Sequence, residues 1–200
     1  MTDERAIVFD LDGTLLHYTR DFEAVLSDAV DAVDGDVPDG AVDAYSDAFF
    51  ERFEACEPEP SLGAFEAIGG DADPRALRDS LRQQELDMCQ PHEDAAADLD
   101  RLSETFEIGV LTNGIHEWQR HKLEAYDLDE YVDAFVASYE VGAHKPDVAP
   151  FRYVEERLDA DKHAMVGDDD ADVAGARAAG WTAYRYDGDG FGDLPDAIEW

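Results

Sequence analysis

Lysine is almost missing from this chain. Only Lys122, Lys145 and Lys162 are present, and lysine and arginine together number 15 against 50 acidic residues, a net charge of −35. Such a surface repels a phosphate backbone or an anionic bilayer, so neither nucleic acid nor a membrane is expected as a partner. Cysteine is scarce as well. Cys56 and Cys89 are the only two, which excludes a disulfide framework and an all-thiolate metal site. No run approaches 18 consecutive apolar residues, too little for a membrane-spanning helix. The opening MTDERAIVFD has no basic segment leading into a long apolar run and a small-residue cleavage site. No signal peptide is therefore expected, and a cytoplasmic location is. Nothing points to an obligate protein partner.

What remains is enough to fold. Hydrophobic residues make up 44% of the 200, a length that fits one large domain or one domain carrying an insert. High net charge with low hydrophobicity would mean disorder, but here the acids interrupt apolar periodicity and form no tail. The composition fits a halophilic protein, adapted to concentrated salt. At 1 M salt the screening length falls to about 3 Å, and repulsion between surface acids largely disappears.

The apolar run Ala6–Leu11 (AIVFDL) reads as a buried strand meeting a loop at Gly13. From about Asp21 to Thr105 the pattern is helical. Phe22, Val25, Leu26, Ala29, Val30 and Val33 follow 3-4 spacing, and Val42–Phe53 forms a second predicted helix. Asp73-Pro74 supplies an N-cap acid followed by proline at the first helical position. Another helix is expected over Glu93–Leu102. After that the period changes. Strands are predicted at Phe106–Leu111, Ala134–Ala137, His163–Val166 and Trp181–Arg185, with helices at Ile115–Tyr126, Val148–Leu158 and Ala171–Ala179. This alternation implies an α/β fold with a parallel sheet and helices on both faces. The long stretch before Phe106 exceeds a plain loop and reads as an inserted helical cap over residues 16–94, leaving 1–15 and 95–200 as the core.

In open α/β sheets ligands bind beyond the C-terminal strand ends. Asp10, Asp12, Gly13 and Thr14 follow the first strand. Thr112, Asn113 and Gly114 follow the second, Lys145 lies in the loop after the third, and Gly167, Asp168, Asp169 and Asp170 follow the fourth. Asp-x-Asp alone says little, since the spacing occurs nine times, as at Asp71/Asp73, Asp127/Asp129 and Asp187/Asp189. Asp10/Asp12 differs because an apolar strand delivers it and Gly-Thr follows. A carboxylate at a buried strand end is costly unless it is paired or bound to a metal.

The segment Asp10-Leu11-Asp12-Gly13-Thr14 resembles the first motif of the haloacid dehalogenase superfamily. Leu111-Thr112-Asn113-Gly114 resembles the second motif, Lys145-Pro146 the third, and Gly167-Asp168-Asp169-Asp170-Ala171-Asp172 the fourth, in order and nearly spanning the chain. The resemblance is to the capped, subfamily I phosphatase type, with a Rossmann-like core. It implies that Asp10 is a nucleophile that forms an aspartyl-phosphate. Asp12 would protonate the leaving alcohol and then activate water. Mg²⁺ would be held by the Asp10 carboxylate, the Asp12 backbone carbonyl and Asp168. Asp172, with Asp169 a weaker candidate, would hold a metal-bound water or orient Lys145. Thr112 and Asn113 would grip the phosphoryl oxygens, and Lys145 would neutralise developing charge. Leu15–Tyr18 falls where such proteins place a flap. One like-charge pair at 4 Å costs about 4 kcal/mol at an effective dielectric of 20, so several carboxylates facing a phosphate dianion need the cations. His144 stands where a small residue is expected, and the sequence gives it no role.

The leading expectation is a Mg²⁺-dependent phosphatase acting on a small phosphorylated metabolite: a nucleoside monophosphate, phosphoglycolate or a sugar phosphate. A phosphomutase would use the same Asp10 and Asp12. A 2-haloacid dehalogenase, which needs no acid at position 12, and a non-catalytic binding protein that kept the fold are weaker alternatives. His116 and His121 lack the i, i+4 spacing of a zinc pair. Tyr45, Phe49, Phe50 and Phe53 are expected to pack within the cap, and Asp187–Gly192 to form a loop.

Overall fold

The computed structural model describes residues 4–33, 40–188 and 190–200. Residues 34–39, within the expected insert, and Asp189, within the expected C-terminal loop, lie outside the described residues. The chain divides into two compact units, Met1–His17 with Pro91–Trp200, and Tyr18–Gln90.

The first unit is built on β1 (Arg5–Phe9), with β2 (Leu16–Tyr18) following the first motif. Four helices come next: α1 (Phe22–Asp31), α2 (Ala41–Glu54), α3 (Pro60–Ile68) and α4 (Pro74–Met88). A short β3 (Cys89–Pro91) pairs with β2 in a two-stranded sheet. The chain then alternates through α5 (Ala95–Ser103), β4 (Glu107–Thr112), α6 (His116–Glu124) and β5 (Ala134–Ala137). It closes with α7 (Val148–Glu155), β6 (Lys162–Gly167), α8 (Asp170–Ala179) and β7 (Thr182–Arg185). The main sheet runs β5-β4-β1-β6-β7, and its paired strands are all parallel.

The order explains the position of the first motif. β1 lies at the centre, and the chain goes first to β4 on one side and later to β6 on the other. The crevice at that reversal of direction opens beyond the carboxyl end of β1, where Asp10 begins. A central strand buried on both faces requires an unbroken apolar run, and Ala6, Ile7, Val8 and Phe9 are all inaccessible to solvent. Ala6 and Val8 join Val136, Phe151, Val154, Met165 and Trp181 in one core. Phe9 meets Phe191 edge-on at a centroid distance of 5.1 Å. Each of the larger side chains contributes about 1.5–3 kcal/mol through burial.

The second unit is helical. Tyr45 is its centre, buried with its ring 4.7 Å from Phe65 and 6.0 Å from Phe22. Phe49 stacks on Tyr45 and Phe53, and Phe50 meets Phe49 edge-on at 5.4 Å while remaining 57% exposed. Three expectations need correction. The stretch to Thr105 is not wholly helical, because β3 interrupts it. The helix expected from Glu93 begins at Ala95. An unforeseen helix, α3, starts directly at Pro60, where the missing N–H has no intrahelical partner to lose. Asp73 does cap α4, accepting from the Arg75 amide at 3.0 Å. No helix among the described residues is long and apolar enough to cross a membrane.

Candidate active site

Strand ends deliver four polar segments, and their side chains meet around Lys145. Its Nζ lies 2.6 Å from Asp10 Oδ1 and 2.6 Å from Asp172 Oδ1, and donates to the Leu111 carbonyl at 2.9 Å. The contacts to Asp10 and the Leu111 carbonyl are hydrogen bonds, and Asp172 is held as an ion pair. Asp10, Lys145 and Asp172 are buried, at 6%, 6% and 1% exposure. Burial pushes the Asp10 carboxyl up to about 7. Lys145 pulls in the opposite direction, and the nearby Asp172 and Asp12 charges add to the rise. Burial also works against the Lys145 charge, but Asp10 and Asp172 outweigh it and hold the ammonium above its ordinary range.

Oxygens of Asp10, Asp168 and Asp172 lie within 4.8 Å of one another, the one such group of metal-ligating side chains among the described residues. Thr14, fully buried, donates its hydroxyl to Asp168 Oδ1 at 2.9 Å. Gly13 turns the chain at φ +91°, and a Cβ there would fall 2.5 Å from Asp168 Oδ2. Glycine is needed on both counts. Gly167 is constrained similarly, since a Cβ would meet Asp172 Oδ2 at 2.3 Å. Asp172 accepts from the Asp169 amide at 3.1 Å, while Asp169 caps α8 by accepting from the Ala171 amide at 2.7 Å. The exposed Asp169 side chain is thus not brought into the carboxylate group.

Asn113 and Lys145 are tied through two bonds. Asn113 Oδ1 accepts from the Lys145 amide at 2.9 Å, and its Nδ2 donates to the Lys145 carbonyl at 3.3 Å. Thr112 is buried, with its hydroxyl accepting from Gln119 Nε2 at 2.8 Å. The Asp12 side chain points to a separate set of partners. Lys122 Nζ donates to both of its oxygens at 2.9 Å, and Gln119 Nε2 donates to Oδ2 at 2.6 Å.

Gln119 and Lys122 were not expected at the site. The available signal was scarcity, since a chain with three lysines that buries one on a helix has a use for its charge. His144 gains a place too, with Nδ1 2.7 Å from the hydroxyl of buried Ser138, which accepts from the Gly114 amide at 2.9 Å. His116 is occupied by Glu140 at 2.7 Å.

A family model described as haloacid dehalogenase-like hydrolase matches residues 4–180. The pyrimidine 5'-nucleotidase YjjG of Escherichia coli is 32% identical over 54% of the chain. The ribulose-1,5-bisphosphate 5-phosphatase of Halopiger xanaduensis is 37% identical over 58%. In both cases the match covers 50% of the relative, so the chain spans about half their length. A phosphoglycolate phosphatase of Cereibacter sphaeroides is 30% identical over 87% of the chain and 81% of its own length. Among solved structures, a 2-haloacid dehalogenase from Pseudomonas syringae aligns with a TM-score of 0.71 at 23% identity, covering 97% of both chains. The HAD-hydrolase YfnB of Bacillus subtilis, solved bound to magnesium, aligns at 0.68 and 24% identity, covering 91% of this chain and 88% of that one.

Proposed function

The chain belongs to the haloacid dehalogenase-like hydrolases, and from that premise we propose that it is a Mg²⁺-dependent phosphatase working through an aspartyl-phosphate on Asp10. It is a hydrolase with phosphatase relatives. The observation that carries the finer reading is the gathering of Asp10, Asp168 and Asp172 around Lys145 beyond β1.

The donor set fits the metal. Mg²⁺ is a hard cation that takes carboxylate oxygens, substrate phosphate and waters, and the missing Cβ of Gly13 leaves room for the Asp168 carboxylate beside the first motif. Asp10, Asp168 and the Asp12 carbonyl would hold the ion, with Asp172 outside that set, bound to Lys145. Bound Mg²⁺ supplies positive charge to the phosphate oxygens and keeps Asp10 ionised.

The residues then divide the work. An Asp10 oxygen attacks phosphorus while the bond to the substrate oxygen breaks, and Asp12 donates a proton to that departing oxygen. Asp12 next takes a proton from water as the water oxygen attacks the phosphorus. Inorganic phosphate leaves and the Asp10 carboxylate is restored. Thr112, Asn113 and Lys145 hold the phosphoryl oxygens through both steps. The substrate is a small phosphate monoester of the kinds named by the relatives, such as phosphoglycolate, a sugar phosphate or a nucleotide. The protein works in the cytoplasm at high salt.

The test is a screen of phosphorylated metabolites in molar KCl, with and without Mg²⁺, run beside Asp10→Asn. Release of phosphate that needs both Mg²⁺ and Asp10 supports the reading. Unchanged turnover in Asp10→Asn removes it, transfer of phosphate between sugar positions without free phosphate makes the protein a mutase, and halide release from a 2-haloacid without Mg²⁺ makes it a dehalogenase.

A further inference from the structure

We propose that Gln119 and Lys122 are positioning residues that hold the Asp12 carboxylate in place for proton transfer, a role that rests on the reading of Asp12 as acid and base given above. The two stand at i and i+3 on α6 and so share one face. Together they place three donor contacts on the two Asp12 oxygens. An ionised carboxylate only accepts, so the Gln119 atom facing it must be the amide nitrogen, which fixes how that side chain is turned. The same nitrogen reaches Thr112 Oγ1. One amide therefore links the first motif to the second. Gly114 makes this possible, because a Cβ there would fall 2.7 Å from Gln119 Cγ.

Asp12 needs a holder because of where it sits. It follows Asp10 by two residues, beside a buried ammonium and a group of carboxylates suited to a divalent ion. A freely rotating carboxylate there would be drawn toward either cation. Lys122 gives it a cation of its own, carried by α6 and not by the Lys145 loop. Fold stability is a poor reason for the pair. Lys122 is 4% exposed, and a buried ion pair is often no more stabilising than apolar side chains of the same volume.

The experiment compares kcat/KM on phenyl phosphate and p-nitrophenyl phosphate, with Mg²⁺ in molar KCl. Phenolate is the more basic leaving group and depends more on a donated proton. Lys122→Met is expected to lower turnover of phenyl phosphate about 100-fold and of p-nitrophenyl phosphate about 10-fold or less. In an Asp12→Asn background the same change adds less than about 3-fold, since two residues acting through one group are not additive. Lys162→Met, at an exposed lysine, leaves both rates unchanged. Should Lys122→Met fail to fold, Gln119→Leu gives the same pattern at smaller amplitude. Equal losses on the two substrates, or losses that multiply in the double variant, overturn the positioning role while leaving Asp12 as the acid. If Asp12→Asn alone spares phenyl phosphate, the reading of Asp12 fails first and the positioning role falls with it.

Discussion

Two buried lysines serve the two aspartates of the first motif, and they are built differently. Lys145 lies buried between Asp10 and Asp172 and also donates to the Leu111 carbonyl. Lys122 pairs with Asp12, whose side chain keeps 24% of its surface open. The first arrangement encloses one ammonium between two buried carboxylates. The second holds a group that exchanges protons and must remain reachable. Removing the cation should therefore have unequal consequences. Lys145→Met leaves two buried carboxylates with no ammonium between them, a loss expected to cost about 3–5 kcal/mol of stability and about 10²–10³-fold in kcat. Lys122→Met is expected to cost much less stability, because Asp12 can rehydrate. Thermal melts of both variants at one salt concentration, set beside their rates, measure the difference. Equal destabilisation would break the contrast.

The same contrast marks how far the sequence could be read. β1 and the residues after it were legible because burial on both faces of a central strand forces an apolar run, and a carboxylate ending that run has few explanations. The strand-to-helix punctuation at Thr112-Asn113-Gly114 and Gly167-Asp168 was legible for the same reason. Lys122 was not. Its contact with Asp12 spans 110 positions, and nothing local on α6 distinguishes an inward lysine from an outward one. Asp169 was ambiguous for a different reason. Four acidic positions within Asp168–Asp172 offer equivalent carboxylates in one dimension, and only the start of α8 decides that Asp169 caps the helix while Asp172 turns inward. In the second unit, nothing local in Glu57-Pro58-Glu59-Pro60 reveals that its last proline is already the first residue of a helix.

Outside these two pairs the charges are mostly unbalanced and exposed, and salt separates the two populations. Asp43, Asp47, Glu51 and Glu54 all face solvent along α2. At 1 M KCl screening reaches to about 3 Å, so repulsion among such acids fades while the enclosed Lys145 contacts are little affected. The melting temperature is expected to rise by several degrees between dilute buffer and molar KCl, at about 2–4 °C per kcal/mol for a chain of this size. The penalty for Lys145→Met is expected to stay nearly constant over the same range. A melting temperature indifferent to KCl would remove the argument for salt adaptation, and a penalty that shrinks with salt would show that Lys145 is not enclosed.

A third buried basic group sharpens the comparison, because it is accommodated by staying neutral. His163 on β6 is 8% exposed and stacks on Trp181 at 4.8 Å, with Nε2 lacking a hydrogen-bond partner among the described residues. Burial lowers its pKa below 6.5, with the Arg152 charge adding to that effect and Glu155 opposing it. The unfolded chain then binds the proton more readily than the folded one. The stabilisation is complete above about pH 6.5, and it is lost as pH falls from there through the folded-state pKa. His163→Phe keeps an aromatic ring against Trp181 and removes the titration. Its melting temperature should fall less steeply than that of the parent between pH 7.5 and 5.5, by at most a few degrees. Carboxylates that protonate over the same range affect both proteins alike and cancel in the difference. Parallel curves would mean that His163 titrates alike in the folded and unfolded chains, and a parent that falls less steeply than the variant would mean that the folded state holds it charged.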